Sequence, residues 1–191
     1  MLYEYDVQYV LQIAMKSKII TVSAISAALI AACLTVGAYF EVADIFTVIM
    51  ASAFIILPIY RKSYLGCILA ALVGGVLAFI FSSFNILTIV FPSYFTFFAF
   101  YPIVRCFFQD KKFNKYVGYI IGLVWCVAVF YGIYFYYVFV MQMPFNDLPT
   151  IIADYIYVFI GLFGIVFFAV YERFIVILRR VIERYLSRII K

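Results

Sequence analysis

All fourteen lysines and arginines of this chain lie at or beyond alternate ends of six long apolar runs, and that placement constrains the fold more than any other feature. The runs are roughly Lys18 to Phe40, Ala43 to Tyr60, Tyr64 to Phe81, Ile86 to Phe108, Val117 to Met141 and Ile151 to Tyr171. Each approaches the roughly 20 residues with which an α-helix, rising about 1.5 Å per residue, crosses a hydrocarbon layer. Lys16 and Lys18 precede the first run, Arg61 and Lys62 follow the second, and Arg105, Lys111, Lys112 and Lys115 lie at or beyond the end of the fourth. Arg173, Arg179, Arg180, Arg184, Arg188 and Lys191 follow the sixth. Six crossings place every cation on one side, which the positive-inside rule makes the cytoplasm. Five crossings, with residues 82–85 (SSFN) breaking a single helix, would strand the tail's cations opposite the others, and Pro92 also favours two spans. The sequence therefore predicts an all-α membrane protein: a six-transmembrane-helix bundle in the plasma membrane, with N- and C-termini cytoplasmic.

Only 12% of the residues are charged and 69% are hydrophobic, against roughly 25% charged in soluble domains. The net charge of +5 then reads as membrane orientation, not as a nucleic-acid footprint. No Gly/Ser-rich linker divides the chain, so residues 1–191 form one integral-membrane domain: an interfacial or cytoplasmic segment (1–16), the bundle (17–171) and a basic amphipathic tail (172–191). The opening MLYEYDVQYVLQIAM carries acids where a signal peptide carries cations, so the first span is expected to be retained. In the tail, Phe174, Leu178, Val181, Tyr185 and Ile189 share one helical face and Arg173, Arg180, Arg184 and Arg188 another, which predicts a helix bending onto the anionic inner leaflet.

Small residues are arranged with helical spacing. In the first run, Ala24, Ala28 and Ala32 form one ridge and Ser23, Ala27 and Ala31 the next. Such a strip lets another helix approach closely in lipid, where association depends on van der Waals contact more than on water exclusion. The third run repeats the device with Gly66, Ala70, Gly74 and Ala78, flanked by Ala71 and Gly75, which reads as internal packing.

The chain has no histidine, no Gly-rich phosphate loop, no HExxH and no paired-aspartate motif, so enzymatic function is not expected. Its four cysteines sit in four different runs and read as buried thiols; no metal or cofactor is expected. Polar groups gather instead toward the outer ends of the runs: Glu41 and Asp44 in the first outer connection, Asn85 in the second, Asp147 in the third and Asp154 about one turn inside the sixth. Asp154 has two readings, an intramembrane carboxylate of functional weight or a cap on its own helix. Tyr131, Tyr134 and Tyr157 likewise read either as interfacial anchors or as walls of an aromatic box for a flat heterocyclic or cationic solute.

The six spans, the cytoplasmic ends and the AxxxA strip at Ala24, Ala28 and Ala32 resemble the substrate-binding S components of energy-coupling factor transporters, which import vitamins and other micronutrients in prokaryotes. SYLGCILAALVGGVLAFIF (63–81) is similar to the Gly/Ala-rich LGPxxGAxxGxxxDL stretch common there, with Tyr64 to Gly66 and Ser82 in place of its proline and acid. The resemblance implies a solute held near the outer side under the loop Tyr39 to Asp44; the polar and aromatic groups already read at that end, Glu41, Asp44, Asn85, Tyr131, Tyr134, Asp154 and Tyr157, are then the candidate binding residues. It implies docking through Ala24, Ala28 and Ala32 on a membrane coupling subunit that joins two ATPase subunits. The other reading is a non-catalytic structural or assembly subunit of a different membrane complex.

Overall fold

A computed structural model describes residues 2–61, 63–83, 88–111, 113–140 and 155–189, with side chains described except at 2–16, 41, 60, 61, 115, 140 and 186–189. The chain is all-helical, with no strand among the described residues. Helix α1 is Leu2–Tyr39, α2 is Asp44–Ile55, α3 is Tyr64–Phe81, α4 is Val90–Ser93, α5 is Tyr101–Asp110, α6 is Lys115–Phe135 and α7 is Ile156–Ile189. A π-helical turn, Tyr94–Phe98, joins α4 to α5, so that Val90–Asp110 acts as one apolar span. Five helices are long and apolar enough to cross a membrane, as a multi-pass membrane protein requires: Ser17–Tyr39, Tyr64–Phe81, Val90–Asp110, Tyr116–Phe139 and Ile156–Tyr185.

The stretch expected as a second span is the exception, being a shorter apolar helix, Asp44–Ile59. Its α-helical part stops at Ile55 because Pro58 lacks the N–H that would continue the ladder and its ring crowds the preceding turn. The chain tightens there into the 3-10 helix Leu57–Arg61, with Ile56 N–H already bonded to the Ala53 carbonyl at 3.2 Å.

Contacts fix the relative directions of the helices. Helices α1 and α3 run parallel: Ser23 lies against Gly66, Ala27 and Ile30 lie against Gly74, and the Tyr39 hydroxyl donates to the Phe81 carbonyl at 3.1 Å. In the chain between these two, α2 runs back along α1, Gly37 on α1 meeting Thr47 on α2. The chain reverses again after α3, where Ser83 takes a left-handed φ of 56° and its N–H bonds the Ile80 carbonyl at 3.1 Å, the arrangement of a helix C-terminus closed by an αL residue. The fourth span then descends along α3, with Tyr94 hydroxyl donating to the Ala71 carbonyl at 3.0 Å and Tyr64 hydroxyl donating to Asp110. Helix α6 returns, Gly122 facing Tyr101 and Trp125 facing Phe97. Helix α7 descends along α6, from Tyr157 against Tyr131 to Phe168 against Tyr119.

The fourth span is the core of this arrangement: 67% of its apolar window is buried, against 17–39% in the other four. Pro102, in the first turn of α5, explains its irregularity, since it cannot donate to the turn before it. The ladder widens instead to a π bond from Ala99 N–H to the Tyr94 carbonyl at 2.8 Å. With the extra residue accommodated, Tyr94, Phe97, Phe98 and Tyr101 all face inward. Phe97 stacks on Tyr101 at 4.9 Å, and Tyr171 of α7 packs edge-on against Phe98 at 5.1 Å.

The small-residue ridges of α1 are sorted. Ala27 and Ala31 are buried, whereas Ala24, Ala28 and Ala32 are exposed. The third-run residues Gly66, Ala70, Ala71, Gly74, Gly75 and Ala78 are all buried, as internal packing requires. A Cβ on Gly74 would come within 2.8 Å of the Ala27 carbonyl oxygen and of Ile30, so glycine there sets how closely α1 and α3 approach.

Residues 172–189 continue α7 without a break in the helix. Its inward stripe is Phe168, Tyr171, Glu172 and Ile175, while Val181 and Tyr185 of the expected apolar face are exposed. Helix α1 likewise starts at Leu2, well before the apolar run.

Candidate functional site

The outer-end residues marked by the sequence are only partly brought together. Tyr131 stacks on Tyr157 with ring centroids 6.4 Å apart and donates its hydroxyl to the Tyr157 carbonyl at 2.8 Å; Tyr134 meets Tyr157 edge-on at 5.6 Å. These rings fill one another's space. Asp44 starts α2 and lines a separate apolar cavity of about 30 Å³ with Val48, Phe97, Phe130 and Ile133, room for about one water molecule. Glu41 opens the 3-10 turn Glu41–Ala43. Asn85, Asp147 and Asp154 lie outside the described residues.

The basic end of the bundle, where α5 meets α7, holds a cluster that the sequence analysis left unassigned. Tyr101 and Arg105 are one turn apart on α5, and Glu172 follows the buried Tyr171 on α7. Arg105 is 8% exposed and Glu172 5%. The Arg105 Nε donates to Glu172 Oε1 at 2.5 Å, and the Tyr101 hydroxyl donates to Glu172 Oε2. Both carboxylate oxygens are thereby bound, which a charge so nearly buried requires.

A second arginine extends the network two turns along α7. Arg179 Nη2 meets Asp110 Oδ1 at 2.5 Å and Nε meets Glu183 Oε1 at 2.8 Å. Its Nη1 donates to the Gln109 side chain at 2.9 Å and to the Cys106 carbonyl at 3.2 Å. Asp110 also accepts from Tyr64, so this network ties the start of α3 and the end of α5 to α7.

Beside the network opens a cleft of about 650 Å³, walled by Arg105, Asp110, Glu172 and Arg179 together with Phe113 and Tyr119. Arg173 and Arg180 stand on its rim and have no ion-pair partner among the described residues. A readable signal existed: Arg105 and Glu172 are opposite charges placed within apolar context at the same end of the fourth and sixth runs. A lone charge at that depth is costly enough to call for a partner. Sequence reasoning counted Arg105 only toward orientation and looked for polar chemistry at the other end.

Compared with known protein families, curated proteins and solved structures, the chain matches none of them.

Proposed function

We propose that this chain is a non-catalytic, solute-binding subunit of a micronutrient importer, seated in the plasma membrane and powered by ATPase subunits on separate chains. The observation that carries the reading is the sorting of the α1 ridges: Ala27 and Ala31 are consumed by packing inside the chain, and Ala24, Ala28 and Ala32 are left exposed. A smooth exposed strip on an apolar helix suits close docking of a partner helix, here a membrane coupling subunit. In this reading α2 also crosses, giving six spans with both termini cytoplasmic. Its twelve α-helical and five 3-10 residues reach about 28 Å, close to the ~30 Å hydrocarbon thickness.

The solute of this reading, vitamin-like and aromatic or cationic, sits at the outer end with Glu41, Asp44, Asn85, Tyr131, Tyr134, Asp154 and Tyr157. Because the apolar cavity at Asp44 holds about 30 Å³, admitting a molecule of that size requires the outer ends of α2 and α6 to part. The same small cavity favours a second reading, a structural subunit that docks through the same strip and carries no solute.

Native mass spectrometry of the chain extracted with its membrane partners separates the two. The importer reading expects a coupling subunit, two ATPase chains and a co-purified small molecule. Ala28→Trp should release the partner chains while keeping both the small molecule and the melting temperature. Partner chains without a small molecule under several growth conditions would establish the structural reading, and a solitary, empty chain would overturn both.

A further inference from the structure

We propose that the cleft at the basic end, bounded by α5, the start of α6 and α7, binds a phosphate-bearing anion through Arg105, Arg173 and Arg180. The inference is independent of the outer solute site and of any coupling partner.

The charge balance of the cleft carries the argument. Its three acids are committed: Glu172 to Arg105 and Tyr101, Asp110 to Arg179 and Tyr64, and Glu183 to Arg179. Among its four arginines, Arg179 is spent on the network through all three nitrogens. Arg105 is more than nine-tenths buried, yet among the described residues it is engaged through Nε alone, leaving both terminal nitrogens for the cleft it lines. Arg173 and Arg180 contribute whole guanidinium groups on the rim. A surplus of guanidinium donors therefore faces a space in which the carboxylates are already occupied.

Guanidinium groups match phosphate oxygens in geometry and are retained where such anions are bound bidentately. The buried ion pair presets the Arg105 fork, which lowers the entropic cost of closing on a ligand. Arg173 and Arg180 are two helical turns apart, about 10 Å along the axis, which suits an extended anion more than a bare ion. A volume of about 650 Å³ lies within the roughly 300–1,000 Å³ of small-molecule sites. Phe113 and Tyr119 supply an apolar wall for the part of the ligand that carries the phosphate. Both a phospholipid headgroup and a soluble phosphomonoester present this chemistry.

Two probes distinguish the sources. Glycerol 3-phosphate is titrated against the full chain in phosphatidylcholine nanodiscs, and lipid retention is followed by native mass spectrometry from nanodiscs containing phosphatidylglycerol. At least one probe should bind the wild-type chain, and R173Q/R180Q should weaken it by about tenfold for each guanidinium removed. K18Q, an exposed cation on α1 away from the cleft, should leave binding unchanged, and thermal unfolding should show all three proteins folded. Retention of phosphatidylglycerol with no response to glycerol 3-phosphate assigns a lipid; saturation by glycerol 3-phosphate assigns a soluble ligand. The proposal is overturned if neither probe binds, if R173Q/R180Q binds like wild type, or if K18Q weakens binding as much, since that last result reports general charge attraction.

Discussion

Arg105 and Glu172 are both almost wholly buried, where either charge alone would be far more costly than the two together. The cost of removing them from water is offset only because Tyr101 occupies the second carboxylate oxygen. Replacing Arg105 by Met should therefore destabilise the chain by about 3–5 kcal/mol, because the Glu172 carboxylate is left buried without its cation. The double variant Arg105→Met/Glu172→Met should recover most of that loss. What remains, about 1–3 kcal/mol, is the orphaned Tyr101 hydroxyl, and adding Tyr101→Phe should remove it. Unfolding in a mild detergent measures the series; a single variant indistinguishable from wild type would mean that cleft water already screens the pair. This pairing was half legible in the sequence. The charges themselves stand out from their apolar neighbours, but nothing in one dimension shows that the π turn before Pro102 rotates Tyr101 and Arg105 toward Glu172. The outer tyrosines were legible as a group, since Tyr131, Tyr134 and Tyr157 do meet, yet whether they wall a cavity or fill it depends on ring packing that spacing does not encode.

Helix α1 illustrates what a pattern of small residues can and cannot say. Its two ridges are nearly identical in composition, so the sequence marked both as smooth and could not choose which one the bundle uses. The choice is made by α3, whose Gly66 and Gly74 admit Ser23, Ala27 and Ile30 at close range. Filling the two surfaces should accordingly have unequal effects. Gly74→Leu forces a side chain against the Ala27 carbonyl and Ile30, and should cost about 1–3 kcal/mol or more through overpacking. Ala28→Leu, on the exposed ridge, should stay within about 0.5 kcal/mol. The comparison is read from melting temperatures of the isolated chain; equal losses would show that the Ala24, Ala28 and Ala32 ridge is also covered within a copy-to-copy contact. The short α2 shows a related limit of composition. Hydropathy counts residues and is blind to the tightening at Pro58 that ends the α-helical ladder after twelve of them.

At the scale of the whole molecule, α1 and α3 pack side by side and run parallel, so the single helix that joins them in sequence has to carry the chain back. Five helices are long and apolar enough to span; α2 is shorter, with its last turn drawn out as a 3-10 helix, which rises about 2.0 Å per residue instead of about 1.5 Å. The sequence made this meeting point readable through charge: the start of α3 at Tyr64, the end of α5 at Asp110 and the stretch of α7 around Arg179 all adjoin cationic residues. Site-directed labelling decides whether α2 completes a crossing. Val42, fully exposed between α1 and α2, and Phe113, exposed between α5 and α6, are separated by α2, α3 and the fourth span. If all three cross, the two positions lie on opposite sides of the membrane; if α2 does not, they lie on the same side. The four native cysteines are half-buried or buried and should contribute little background. With a membrane-impermeant maleimide on intact cells, Val42→Cys should label, and Phe113→Cys should label only after permeabilisation. Labelling of both from outside would reduce the fold to five crossings and place the cleft of Arg105, Arg173 and Arg180 on the external face, where the cationic tail would contradict the positive-inside rule.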